Sequence, residues 1–196
     1  MLFSSNLPRR LPLLALAGLL ACSSGPGKTD DPVAAAQSEN AHKIDDDAIT
    51  KKQRADADFL VKAASNSLLE QELAKLAQAR AATVAVRTFG AQLLQSRLAM
   101  LQALRTLAAT KQLAVPAALG KDGQAAYHEV NKFAGPTLDK ELLKTVIRAL
   151  KQDRDAFSAM QRDAYDGDIR GFAAKFRAPI GQQLDAADAA EDALSK

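Results

Sequence analysis

The sequence predicts an all-α protein: a four-helix, up-down bundle with a long crossover between the second and third helices. From about residue 48 onward, apolar residues recur at the i, i+3, i+4 spacing of amphipathic helices. No segment shows the apolar–polar alternation of a strand, and β-branched residues are sparse. Two of the three connections between the periodic segments are short, and one, residues 112–135, is long.

The first two helices are predicted over residues 48–80 and 83–111. Thr83 is a residue type that caps helix N-termini, and the short turn before it makes the two helices antiparallel neighbours. The apolar stripe of the first helix comprises Phe59, Ala63, Leu69, Leu73, Leu76 and Ala77. The stripe of the second comprises Val86, Phe89, Leu93, Met100, Leu104 and Leu107.

The second half of the chain continues the helical pattern. A bare loop as long as the central connection is unusual in a compact domain, so a short helix is expected over residues 122–133. The third and fourth long helices are predicted over residues 137–165 and 168–194, with a kink at Pro179 in the fourth. A single long crossover between the second and third of four helices is the connectivity of ferritin-like folds.

Residues 1–21 are typical of a secretory signal peptide. Two arginines precede an apolar run over residues 11–20, which is shorter than the roughly 20 residues that span a bilayer. The run ends in Leu19-Leu20-Ala21-Cys22, which resembles the lipobox of bacterial lipoproteins. That resemblance implies cleavage before Cys22 and lipidation of its thiol. The alternative is an ordinary signal peptide followed by an incidental cysteine.

Cys22 is the only cysteine in the chain, so an exported protein would have no disulfide partner for it within the chain. Two or more acyl chains make a stable membrane anchor. Ser23 stands where Gram-negative lipoproteins retained in the inner membrane carry Asp, so the resemblance favours the outer membrane, facing the periplasm. Residues 22–45 contain Gly-Pro-Gly and Asp-Asp-Pro, and they are expected to form a lipidated flexible tether. The bundle is then expected over residues 46–196.

The charge balance argues against nucleic acid as a partner. The chain has 26 basic and 23 acidic residues. Residues 1–21 contain two arginines and no acidic residue, so the remainder has 24 basic against 23 acidic residues, a formal net charge of +1. A nucleic-acid-binding domain normally carries a strong basic patch.

Seven short stretches carry a resemblance to a known family. They are Asp58-Phe59-Leu60-Val61-Lys62-Ala63-Ala64, Glu70-x-Glu72-Leu73-x-x-Leu76-Ala77, Val86-x-x-Phe89-Gly90, Leu104-x-x-Leu107-Ala108, Val115-Pro116, Gly135-x-x-Leu138-Asp139 and Ala178-Pro179. In their order and spacing, residues 55–190 resemble the ferritin-like domain-of-unknown-function family of bacterial envelope proteins, often labelled predicted outer membrane protein. The resemblance implies a ferritin-like fold and an envelope location.

The chain departs from the family pattern at its histidines. Ser96 and Arg97 stand where the family has Asp-His, and Leu150 and Leu184 stand at two further family histidine positions. A ferritin-like di-iron site uses two Glu-x-x-His pairs, whereas the chain contains a single one, Glu39-x-x-His42, in the segment expected to be a tether, and none in residues 46–196. We therefore expect no metal, no cofactor and no catalytic residues. His128, in the predicted short helix, is more simply explained as a solvated side chain than as an acid–base group.

Glu70 and Arg97 are candidates for a buried ion pair. Each falls on the apolar stripe of its predicted helix. Counted from the turn near residue 82 at about 1.5 Å per residue, the two lie about one helical turn apart, which an arginine side chain can bridge. A buried carboxylate requires a partner or a raised pKa. The alternative is that both side chains extend to the edge of the bundle and contact water.

Two functions follow from these observations. In the first, the chain is a lipid-anchored, non-enzymatic helical module that binds or supports another envelope protein. In the second, it is a metal-binding or redox-linked protein that uses carboxylates such as Glu70, Glu72 and Asp153. A third option, an apolar groove for a lipid or peptide, is less favoured, because the alanine-rich stripes predict close helix packing with little cavity.

Overall fold

The computed structural model describes residues 31–46 and 51–194, and within these ranges every regular element is a helix. The six helices are α1 (Pro32–Asp46), α2 (Lys51–Arg80), α3 (Val84–Thr110), α4 (Lys121–Asn131), α5 (Gly135–Asp163) and α6 (Gly167–Leu194). The predicted all-α class is confirmed. None of these helices has the length and hydropathy that a bilayer-spanning segment requires.

The four long helices agree closely with the sequence-based boundaries, and α4 is the short helix expected in the crossover. The long helices contact one another in a ring: α2 packs on α3, α3 on α6, α6 on α5 and α5 on α2. Their apolar stripes meet in one core, whose largest members include Leu73, Leu104, Leu142 and Phe157. α6 continues without a break through Pro179.

Two buried aspartates link the α2–α3 hairpin to the α5–α6 hairpin. Each aspartate binds the turn of the other hairpin. The Asp139 carboxylate, on α5, accepts hydrogen bonds from the backbone N–H groups of Ala82 and Thr83 at 2.8 and 2.9 Å, and from the Thr83 hydroxyl at 2.9 Å. The Asp56 carboxylate, on α2, accepts from the N–H groups of Tyr165 and Asp166 at 3.1 and 2.8 Å. Each helical hairpin therefore binds the turn of the other.

Gly90 allows α3 to approach α2 closely. A Cβ atom at this position would lie 2.7 Å from the Ala77 Cβ atom and 3.0 Å from the Ala74 carbonyl oxygen. Contacts this short do not occur between real side chains, so α3 can reach α2 here only because residue 90 has no side chain.

The expectation that residues 22–45 form a flexible tether is wrong for residues 32–45, which belong to α1. Ala36, Asn40 and Ile44 lie one turn apart and are buried. The Asn40 side chain donates to the Ala114 carbonyl oxygen at 2.9 Å and accepts from the Ala114 N–H at 2.7 Å. Gly-Pro-Gly, Asp-Asp-Pro and scattered polar residues suggested a tether, but Ala36, Asn40 and Ile44 form one face of α1 that packs on the domain. Residues 22–30 lie outside the described residues.

Candidate functional site

Three ionisable side chains meet in the interior, one from each of α2, α3 and α5. Glu70, Arg97 and Asp153 have relative exposures of 0%, 1% and 2%. Each lies on the inward stripe of its helix, since Glu70 follows Ser67 by three residues, Arg97 follows Leu93 by four and Asp153 precedes Phe157 by four. Charged residues are almost never fully buried unless they are paired, so this cluster is the most distinctive chemical feature of the core.

Arg97 lies between the two carboxylates. Its Nε atom is 2.8 Å from Glu70 Oε2, and its Nη1 atom is 3.5 Å from Asp153 Oδ2. The structure thus brings together the two residues singled out in the sequence, and neither extends to water. The Glu70 contact is an ion pair without the alignment of a hydrogen bond. The other Asp153 oxygen, Oδ1, accepts from the Asn66 side-chain amide at 2.7 Å.

From the sequence, Asp153 was named only among the carboxylates of the metal-binding alternative, and its contact with Arg97 in the interior was not foreseen. The sequence places it beside Arg154 and Asp155, a run that reads as a solvated outer face, and those two neighbours are indeed exposed. Asp153 itself continues the inward spacing that runs from Val146 through Leu150. The helical periodicity could have identified it, but the charges of its neighbours concealed the pattern.

The cluster contains two carboxyl groups and one guanidinium, so charge neutrality requires one proton. Burial raises the pKa of Glu70 to about 8; the Arg97 charge lowers this pKa and the Asp153 charge raises it. Burial also raises the pKa of Asp153 to about 6, against the lowering effects of Arg97 and of the Asn66 hydrogen bond. Near neutral pH the pair of carboxyl groups therefore holds one proton, and Glu70 is the group whose pKa is raised further.

The remaining sequence candidates lie elsewhere. Leu150 and Leu184 are core residues. Glu72 is half-exposed and pairs with Lys75 at 2.7 Å. His128 is exposed on α4, with its ring centroid 5.9 Å from that of Tyr127. Cys22 lies outside the described residues.

The residues of the cluster do not fit a transition metal. A metal would need several carboxylate, imidazole or thiolate ligands around one point. Within residues 31–46 and 51–194, no three such side chains converge in that way. The position between Glu70 and Asp153, where a cation would balance the carboxylates, is taken by the Arg97 guanidinium.

Comparison with known proteins identifies one family. The model of a domain of unknown function, DUF4142, matches residues 39–190. The match begins within α1 and ends within α6, so it covers the whole core and part of the helix that had been expected to be a tether. No curated protein and no solved structure is significantly similar to the chain.

Proposed function

This chain belongs to the DUF4142 family of domains of unknown function, and we propose that it is a lipid-anchored helical module of the bacterial outer membrane that faces the periplasm. In this proposal Cys22 carries the lipid, residues 1–21 are removed, and the folded domain is a ferritin-like four-helix bundle of α2, α3, α5 and α6. The module has no enzymatic activity and acts by binding or supporting another envelope protein.

The lipid anchor is the part of the proposal that rests on sequence chemistry. Cys22 is the only thiol in the chain and follows a short apolar run ending in Leu-Leu-Ala. Lipidation gives such a cysteine a role that needs no disulfide partner. An acylated N-terminus also provides a membrane attachment that does not depend on a spanning helix.

The docked α1 helix keeps the domain near its anchor. Between Cys22 and Pro32 the linking segment is residues 23–31, and nine residues span at most about 30 Å when fully extended. The Asp31 carboxylate, which accepts from the Val33 N–H at 3.0 Å, also accepts from the Lys121 N–H at 3.4 Å. The end of the domain formed by the N-termini of α1 and α4 therefore faces the membrane in this proposal.

The observation that carries the non-enzymatic assignment is the position of Arg97. Its guanidinium lies between Glu70 and Asp153, so the buried ionisable groups, together with one bound proton, balance in charge. A catalytic centre needs polar groups that remain available to a substrate, whereas Glu70 and Arg97 are bound within the core.

Lipidation is tested by growing cells that express the full chain with an alkyne-labelled fatty acid. The protein should incorporate the label and fractionate with the outer membrane, and Cys22→Ser should lose the label. Ser23→Asp should keep the label and shift the protein toward the inner membrane. An unlabelled wild-type protein that retains residues 1–21, or that is released in soluble form, would contradict the proposal.

The metal-binding alternative has its own test. Metal analysis of the purified protein should find iron, manganese and zinc well below one equivalent. A stoichiometric metal that is lost in Glu70→Gln or Asp153→Asn would favour the alternative and show that Arg97 moves aside to admit it.

A further inference from the structure

A groove lies between α2 and α5, where the sequence predicted close packing. Its volume is 620 Å³, within the range of small-molecule sites. Alanines such as Ala63 and Ala156 line it. The rings of Phe59 and Phe157 contact edge to face, with centroids 4.9 Å apart, and also line the groove. The alanines beside them are too small to close the gap, so they leave a groove.

The groove combines apolar walls with one ionisable group of the core. Phe59, Ala63, Ala156 and Met160 supply apolar surface. Asp153 also lines the groove, together with Asn66. Asp153, although only 2% exposed, is therefore the member of the charged cluster that lies at the wall of the groove.

Asp153 is the carboxylate of the cluster that lines the groove, and its oxygens can accept further donors beyond the hydrogen bonds from Asn66 and Arg97. Its oxygen lies 3.5 Å from Arg97, whereas Glu70 lies 2.8 Å from the same side chain. Its remaining neighbour, the Asn66 amide, contributes a neutral hydrogen bond. A second positive charge beside Asp153 would balance the two carboxylates of the cluster without a bound proton.

We propose that this groove binds a primary alkylamine, with the ammonium group at Asp153 and Asn66 and the hydrocarbon chain along the apolar walls. An ammonium group donates up to three N–H bonds, and the Asp153 carboxylate and the Asn66 amide oxygen are acceptors. A divalent metal would need more oxygen ligands than these. An alkyl carboxylate or phosphate would bring a second negative charge beside Asp153, so the groove discriminates against acids.

Binding is coupled to the proton of the cluster. The charged groups that surround the ammonium position are Glu70 of α2, Arg97 of α3 and Asp153 of α5, with Asp58 and Lys62 exposed along the groove. Because burial raises the pKa of Glu70 to about 8, the free protein holds this proton at pH 7. The arriving ammonium replaces that charge, so binding releases a proton and weakens as the pH falls from 7 toward 5.

Lys62 is the internal competitor for this site. It lies four residues before Asn66, on the same side of α2, and it lines the groove. If its own ammonium group occupies Asp153, the wild-type protein binds no amine and Lys62→Met gains binding. That result would overturn the proposal, because the groove would then serve to hold a side chain of the chain itself.

The test is isothermal titration calorimetry of the full chain with hexylamine, hexan-1-ol and hexanoate as probes. We expect hexylamine to bind one to one, and the alcohol and the acid to bind about tenfold to a hundredfold more weakly, the range expected for one hydrogen bond to a charged group. The heat of binding at pH 7 should vary with the ionisation enthalpy of the buffer, as proton release requires. No binding of hexylamine, or equal binding of all three probes, would overturn the proposal.

Three variants separate the site from its surroundings. Asp153→Asn should weaken hexylamine binding by the same tenfold to hundredfold factor, and Ala156→Leu should block the groove while it keeps the carboxylate. Asp155→Asn, which removes an exposed carboxylate from the same helix, is the matched control and should bind as wild type does. Circular dichroism melts check that each variant is folded, and unchanged binding in both Asp153→Asn and Ala156→Leu would refute the assignment. Failure of the lipid-labelling experiment would leave this result unaffected.

Discussion

Replacement of Glu70 by glutamine should change how stability depends on pH. In the folded protein burial raises the pKa of Glu70 from 4.5 to about 8, so between these values the folded state holds a proton that the unfolded chain releases. Stability therefore falls as the pH rises through this window, by about 1.4 kcal/mol per pH unit. Between pH 5 and pH 8 the Glu70 contribution amounts to about 4 kcal/mol. Glu70→Gln cannot ionise and lacks this contribution.

The measurement is urea unfolding of the full chain at pH 5, 6, 7 and 8, followed by the circular dichroism of its helices. At pH 5 the variant and the wild type should unfold at similar urea concentrations, because glutamine resembles the protonated glutamate in shape. At pH 8 the variant should be the more stable by about 3–4 kcal/mol. Contributions from Asp153 and from surface groups occur in both proteins and largely cancel in the difference.

Glu72→Gln is the matched control. Glu72 lies on the same helix, is half-exposed and pairs with Lys75. Its replacement should change stability by about 1 kcal/mol or less, with little dependence on pH. A constant difference between Glu70→Gln and wild type from pH 5 to pH 8 would mean that Glu70 is ionised in the folded protein throughout this range, and would refute the assignment of the buried proton.

Other substitutions test the packing around the cluster. Arg97→Ala should lower the free energy of unfolding by about 3–5 kcal/mol, because it leaves the carboxyl groups without a cation, whereas Arg97→Met should cost clearly less; equal melting of both and of wild type would contradict the ion pair. Asp139→Ala should cost about 2–4 kcal/mol in urea unfolding through the loss of three hydrogen bonds to the α2–α3 turn. Gly90→Ala should cost about 1–3 kcal/mol by overpacking, while Gly181→Ala, whose added Cβ meets no neighbour within 4 Å, should stabilise by up to about 1 kcal/mol. Asn40→Ala should speed hydrogen exchange in α1 more than in α2, and equal protection of α1 in both proteins would show that its contact with Ala114 is not needed.

The local sequence pattern was sufficient to predict the helices and one pair of site residues. Helix positions follow from a repeat of 3.6 residues, and this repeat needs no knowledge of the partner helix. The same repeat put Glu70 and Arg97 on inward stripes, and the short turn between α2 and α3 placed them at a similar height. Their contact could therefore be predicted, because it involves only two adjacent helices and the turn that joins them.

The packing of α1 and the burial of Asp153 depend on contacts between residues that are far apart in the chain. The Asn40 side chain is hydrogen-bonded to the backbone of Ala114, 74 residues away. The sequence around Asn40 does not identify that partner. Asp153 reaches Arg97 across 56 residues, and its exposed neighbours gave it the appearance of a surface residue. In both cases the decisive partner belongs to another helix.

The sequence alone determined the helical class, the helix boundaries to within a few residues and the presence of charge on two inward faces, because these properties are set by the spacing of side chains along one helix. Only the tertiary structure decided that a second carboxylate joins the pair, that the cluster must hold a proton, and that a groove opens beside it. Burial and charge balance are properties of several helices together, and they arise only when the helices pack.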